Sequence, residues 1–292
     1  MADQGLQPGT VYVCATPLGN LDDLSARAKA VLAAADVVAA ERPQHTRKLL
    51  SHLGIPAGKL RPAAESTSEE ALDDIIRVAA EGGIVAVVTD AGTPGVSDPG
   101  APLVRRAIAA GCPVRPIPGP SSLTAALSVS GFDTRHVLMA GFPPRKTGAR
   151  REALTEWTAL PAAIVLFESP KRVRATVTDL GAVAPRRPLM LLREATKIHE
   201  EVLRGTPTEV LAQLGDAPKG EMTLVVSPPG EADGPSEANE DWGSPVADLL
   251  ADGVSPRDVV RALVALADLP KGRAFDIVQA VRDGMGSREG DR

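Results

Sequence analysis

Aromatic residues make up only 2% of this 292-residue chain, so any core has to be assembled from Ala, Val and Leu. No apolar run approaches the roughly 20 residues that span a bilayer, and the opening MADQGLQPGT has neither the basic nor the apolar stretch of a signal peptide. A cytoplasmic protein with no membrane partner is therefore expected. Cys14 and Cys112 are too few for a disulfide framework, and both sit in apolar stretches, which reads as buried thiols. The histidines, His45, His52, His136 and His199, lack metal-ligand spacing, so no metal is expected. G-x-G-x-x-G occurs nowhere, which removes the Rossmann dinucleotide fingerprint. GFPPRKT (141 to 147) imitates a P-loop, but it lacks the glycine before the lysine and its prolines remove amides that a phosphate would need.

The net charge of −5 excludes a generally basic nucleic-acid binder, so only local clusters could fill such a role. One runs through Arg135, His136, Arg145, Lys146, Arg150 and Arg151, and a second holds Lys171, Arg172 and Arg174. The default for a basic run is a solvated face. Along the first 118 residues, VYVCAT (11 to 16), DVVAA (36 to 40), IVAVVT (84 to 89) and PVRPI (113 to 117) read as strands buried on both faces, with Ala- and Leu-rich helical stretches between them. Ser66 with Glu69 and Thr67 with Glu70 have capping-box spacing and predict a helix start there. Such βα alternation implies an α/β domain over 1–118 with a mainly parallel sheet. A second α/β domain is drawn over 119–228 from HVLMAG (136 to 141), AIVLFE (163 to 168), PLMLLRE (188 to 194), EEVLRG (200 to 205) and EMTLVVS (221 to 227). Its later strands crowd together with few helices between them, so a mixed, partly antiparallel sheet is expected. Residues 229–244 are acidic and rich in Pro and Gly, the composition of a linker, and 245–292 show three helical patterns of a small, helix-turn-helix-like bundle.

Three of the four N-terminal strands end in Gly- and Pro-rich polar loops: TPLGN (16 to 20), TDAGTPGVSDPG (89 to 100) and PIPGPSS (116 to 122). In open α/β sheets ligands bind at the carboxyl ends of strands, and such loops let backbone approach a ligand closely. Each could also be an ordinary βα turn. These loops, with GFPPRKTGARREAL (141 to 154), FESPKR (167 to 172), LREATKIHEE (192 to 201) and KGEMTLVV (219 to 226), strongly resemble the ribosomal RNA small subunit methyltransferase I family, in order and spacing. The resemblance implies a two-domain tetrapyrrole-methylase-like fold, a homodimer, and S-adenosylmethionine in the interdomain cleft. It also implies 2′-O-methylation of a cytidine in the decoding region of 16S rRNA in the small ribosomal subunit. The alternatives are a tetrapyrrole-precursor methyltransferase, which shares the cofactor cleft, and a lapsed paralogue that binds cofactor or RNA without turnover.

By resemblance, the cofactor contacts fall on Pro17, Leu18, Gly19, Asp90, Gly92, Thr93, Pro94, Ser121, Ser122, Glu221 and Met222. Asp90 follows an apolar strand, where its carboxylate either meets the methionyl ammonium or stabilises a turn. A ribose hydroxyl is a weak acid, so a base or an oxyanion partner is expected. Glu41 and His45 are the candidates for base or positioning, with Arg47 and Lys48 as phosphate or oxyanion partners; equally, Glu41 could cap the next helix with His45 on its exposed face. Arg145, Lys146, Arg150, Arg151 and Lys197 are the candidate RNA contacts, although Lys197 could equally serve the cleft or be a surface lysine. Two segments depart from the family: Glu41, Arg42, Pro43, Gln44, His45, Thr46 stands where Glu-Asp-Thr-Arg-His-Thr is usual, and RPAAESTSEEAL (61 to 72) lacks the usual His and Asn.

Overall fold

The computed structural model describes residues 5–98, 100–230, 242–266 and 271–289. Its contacts divide the chain into two compact units, Met1–Ala232 and Asp233–Arg292. Most of the linker expected at 229–244 lies outside the described residues.

The first sheet of the larger unit contains β1 (Val11–Cys14), β2 (Val37–Ala40), β3 (Leu60–Pro62), β4 (Val85–Val88) and β5 (Val114–Ile117), in the order β3-β2-β4-β1-β5. Every pairing is parallel, as the βα alternation predicts. Alternate residues feed two cores. Tyr12, Cys14, Val38, Ala40, Ala86, Val88 and Ile117 pack with α1 (Ala26–Ala34) and α2 (Pro43–His52). On the other face Val11, Val37, Ala39, Val85 and Val87 meet α3 (Glu69–Ala80) and α4 (Gly100–Ala109). Both thiols are buried, and burial pushes the Cys14 thiol up to about 12, which leaves it a protonated hydrophobe.

Two details differ from expectation. β3 has no counterpart among the predicted strands, because three residues containing Arg61 and Pro62 at a sheet edge carry no apolar run. The cap of α3 is Ser68, whose hydroxyl accepts from Ala71 N–H at 3.3 Å, and not Ser66 or Thr67. The Thr67 hydroxyl accepts instead from Ala64 N–H at 2.9 Å, closing the preceding turn.

After α5 (Ser122–Ser130), the second sheet contains β6 (Val137–Gly141), β7 (Ala163–Glu168), β8 (Leu189–Arg193), β9 (Glu201–Gly205) and β10 (Met222–Val226), in the order β6-β7-β10-β8-β9. Only β6 and β7 pair in parallel; the other three pairings are antiparallel. On one face α6 (Thr147–Thr158), α7 (Val173–Val183) and α8 (Pro207–Gln213) cover Leu166, Leu191 and Leu224, and on the other α5 covers Val165, Met190 and Val225. The register puts Glu168 and Arg193 opposite Met222, so the ends of β7 and β8 and the start of β10 share one edge.

The smaller unit contains α9 (Gly243–Ala251), α10 (Pro256–Leu266) and α11 (Lys271–Glu289), packed around Val246, Val259, Leu263, Ala274 and Val278. Among the described residues no helix is long and apolar enough to cross a membrane.

Candidate functional site

Because the first sheet is parallel, the three Gly-Pro loops leave it at the same edge, and the structure ties them together. Thr16 N–H donates to Gly92 O at 2.9 Å and Gly92 N–H returns to Thr16 O at 3.0 Å. The Thr93 hydroxyl donates to Pro120 O at 3.0 Å. Gly92 has φ +83°, a conformation that favours glycine, and a Cβ there would stand 3.3 Å from Leu18 Cδ2, close enough that the leucine would have to shift. The Asp98 carboxylate accepts from the N–H groups of Gly95, Val96 and Gly100 and closes the second loop. Ser97 beside it is held at φ 62°, a sparsely populated conformation for a residue with a side chain.

The ends of β2 and β4 bring a charged cluster to this edge. The Asp90 carboxylate pairs through Oδ2 with the Arg42 guanidinium, and His45 Nδ1 lies 3.4 Å from the same oxygen. Asp90 Oδ1 is buried without a hydrogen-bond partner among the described residues. Glu41 does not cap α2: its Oε2 accepts from the Thr89 hydroxyl at 2.8 Å and from Asp90 N–H at 3.5 Å, while Arg42 occupies the cap position. Arg47, two residues beyond His45 and thus about 200° round the helix, is exposed and does not join the cluster.

These groups form one wall of a cleft of about 380 Å³, and the edge of the second sheet forms the other. Of the residues expected at the cofactor, Leu18, Asp90, Ser122, Glu221 and Met222 line it. Pro17, Gly19, Gly92, Thr93, Pro94 and Ser121 belong to the same tied loops beside it. Phe142, Phe167 and Glu168 also line the cleft and are not among the residues that the sequence marks for a role. The available signal for Glu168 was an acid ending a fully apolar strand before Ser-Pro. Its buried carboxylate accepts from the Thr176 hydroxyl at 2.7 Å and Ser169 N–H at 2.8 Å, with Arg172 Nη2 at 3.2 Å.

One expected RNA contact is corrected. Arg150 is 4% exposed, and its guanidinium is spent on Asp179, with Nε to Oδ2 at 2.7 Å, and on the Arg145 carbonyl at 3.0 Å. It faces inward from α6 because Asp179 on α7 is itself buried and needs a partner. Arg151 shares Asp179 through Oδ1 at 2.7 Å but remains half exposed, whereas Arg145 and Lys146 are exposed. Lys197 is no free surface cation: its Nζ donates to Glu194 at 2.8 Å and to Glu221 at 3.1 Å. Burial opposes its charge, but these two hydrogen bonds outweigh that and raise its pKa. The Lys197 hydrogen bond in turn holds the Glu194 carboxyl below its usual range. Asn20 N–H donates to the Thr196 hydroxyl at 3.0 Å, so this loop fastens the second sheet's edge to TPLGN. Among the described residues no three His, Cys, Asp or Glu side chains are grouped to hold a metal ion.

The family model for Tetrapyrrole (Corrin/Porphyrin) Methylases matches residues 10–211. A ribosomal RNA small subunit methyltransferase I of Neisseria meningitidis serogroup B is 44% identical over 230 residues, covering 78% of this chain and 79% of its own. The chain belongs to the ribosomal RNA small subunit methyltransferase I family. The Xylella fastidiosa (strain Temecula1) member is 38% identical and covers 90% of this chain and 97% of its own. Among solved structures, the uroporphyrin-III C-methyl transferase from Thermus thermophilus complexed with S-adenyl homocysteine superposes with a TM-score of 0.53. It is 20% identical, covers 74% of this chain and 96% of its own, and shares the fold.

Proposed function

We propose that this methyltransferase family member uses S-adenosylmethionine to methylate the ribose 2′-hydroxyl of a cytidine in the decoding region of 16S rRNA. Its substrate is the small ribosomal subunit, and it works as a cytoplasmic homodimer. The observation that carries the reading is the tied-loop cleft in a chain of this family, flanked by exposed Arg145 and Lys146.

The residues present fit such a cofactor. A cleft of about 380 Å³ lies within the range of small-molecule sites, about 300–1,000 Å³. The orphaned Asp90 Oδ1 offers an acceptor for an ammonium group, and a buried carboxylate oxygen left without a donor costs about 1–3 kcal/mol. Gly92 supplies backbone that a Cβ would obstruct. Leu18, Ser122, Glu221 and Met222 complete the walls. When bound, S-adenosylmethionine supplies a methyl group activated by its sulfonium. Glu41 takes the hydroxyl proton: Thr89 holds its Oε2, while its Oε1 has no hydrogen bond among the described residues. His45 and Arg42 hold Asp90 in place. Enclosure between the two sheet edges orients the hydroxyl for in-line attack, where proximity lowers the barrier most.

The deciding experiment maps 2′-O-methylation in the rRNA of a deletion strain. One ribose methyl in 16S rRNA should vanish and return with the gene; an unchanged map sinks the reading.

Exposed Arg145 and Lys146 serve RNA phosphate, and the helical unit of α9 to α11, helix-turn-helix-like in its spacing and carrying exposed Arg257, Arg261 and Arg282, supplies a second contact. Each lost phosphate contact flattens the log-log salt dependence by about 0.7–0.9 units. Arg145→Ala with Lys146→Ala should therefore lower the slope by roughly 1.5 units in filter binding, and a chain ended at residue 230 should lower it again. Arg150→Ala, its guanidinium already spent, should destabilise the protein without changing the slope. An unaltered slope in the double variant returns Arg145 and Lys146 to a solvated face.

A further inference from the structure

The chain holds four phenylalanines, and two of them, Phe142 and Phe167, meet at the mouth of the cleft with ring centroids 5.8 Å apart and planes tilted by 58°. Phe142 is 56% exposed. It is also held rigidly. Arg172 Nη2 donates to Pro143 O at 2.5 Å and to Pro144 O at 3.3 Å, and the same nitrogen lies 3.2 Å from the buried Glu168 carboxylate. The ring is thus fixed at the cleft rim by an ion pair beneath its own loop, with two prolines stiffening the chain after it.

Cations lie on its own loop and in a hollow next to the cleft, which also holds Asp216. Arg145 and Lys146 follow on the same loop, and Lys171 and Lys219 line a hollow of about 470 Å³ that shares Pro170 and Gly220 with the cleft. All four are exposed, and none makes an ion pair among the described residues. The other basic group of that hollow, Arg174, is committed to the carbonyl of Leu214 at 2.5 Å. An exposed aromatic face on a tethered loop, beside cations that make no ion pair among the described residues, suits single-stranded RNA, whose bases stack while phosphates take the charges.

We propose that Phe142 is the face on which the base of the target nucleotide stacks after leaving its RNA, with Lys171 and Lys219 holding the neighbouring phosphates. The arrangement presents the ribose to the cleft while the base stays at the rim. It rests on the rRNA reading above.

The test compares the wild type with Phe142→Leu, which keeps bulk without a ring, and Phe142→Trp, which keeps a ring. On small subunits from the deletion strain, Phe142→Leu should lose roughly ten- to hundredfold in kcat/KM, the range for one stacked base. Phe142→Trp should retain it, and calorimetric affinity for S-adenosylmethionine should stay within about twofold in all three. In a second arm free of turnover, oligocytidylate should bind the wild type and Phe142→Trp roughly ten- to hundredfold tighter than Phe142→Leu, whereas an abasic oligomer of equal length should bind all three alike. If Phe142→Leu matches the wild type in both arms, the proposal fails. A fall in cofactor affinity assigns the ring to the cofactor, and a change in sedimentation assigns it to subunit contact; either overturns the proposal. Base-dependent binding by a wild type that does not methylate subunits removes the rRNA reading and leaves the stacking face standing.

Discussion

Asp179→Ala should lower the unfolding free energy by about 3–5 kcal/mol, the range for removing one partner of a buried ion pair. Asp179 is 2% exposed and neutralises two arginines, of which Arg150 is itself buried. Without the carboxylate, Arg150 keeps its charge in a dry site with only backbone carbonyls and the Thr147 hydroxyl around it. The melting temperature should fall by roughly 10 °C, given about 2–4 °C per kcal/mol for a folded unit of this size. Replacing both members, Asp179→Leu with Arg150→Met, should recover most of the loss, since the penalty belongs to the stranded charge. Arg151→Ala, at the exposed end of the same carboxylate, should cost no more than about 1 kcal/mol. A melting temperature unchanged in Asp179→Ala would mean that the pair contributes nothing to the packing of α6 on α7.

The second large effect is on the cofactor. Gly92→Val should weaken S-adenosylmethionine binding roughly 5- to 150-fold, because a β-branched residue at positive φ stores about 1–3 kcal/mol of strain that a shift of the loop relieves. At φ +83° with Leu18 Cδ2 only 3.3 Å from the new Cβ, the valine has to move either the loop or Leu18, and Leu18 lines the cleft. Gly95→Ala is the comparison: its φ is +91°, but no atom of the described residues lies within 4 Å of a Cβ there, so backbone strain dominates and the loss should be smaller. Equal affinities by calorimetry for wild type and Gly92→Val would separate the loop from cofactor binding.

Much of the fold was legible in the sequence for a local reason. Runs such as IVAVVT and AIVLFE are continuous and apolar, and a strand buried on both faces has no polar side to interrupt it. Their Gly- and Pro-rich ends marked the ligand edge, since parallel strands deliver their carboxyl ends to one side. Leu60–Pro62 carries no such run because an edge strand has little to bury. Ser66, Thr67 and Ser68 all carry a capping hydroxyl, and the turn that engages Thr67 leaves the cap to Ser68.

Side-chain roles were another matter. Residue types and spacing put Arg145, Lys146, Arg150 and Arg151 in one basic run, and nothing in that run distinguishes them. The distinction comes from Asp179, 29 residues after Arg150, which α7 brings under α6. Glu41 reads equally well as a cap or a base until Thr89, 48 residues away, takes its Oε2. Lys197 looks like a surface cation until Glu194 and Glu221 enclose it. Which strands are buried, which edge carries the Gly-Pro loops and which family the chain resembles are all legible without the fold, because they follow from local runs of residue types. Packing alone sets which charges are spent inside the protein and which stay exposed, because a charge is neutralised by whatever the fold places within a few ångströms of it.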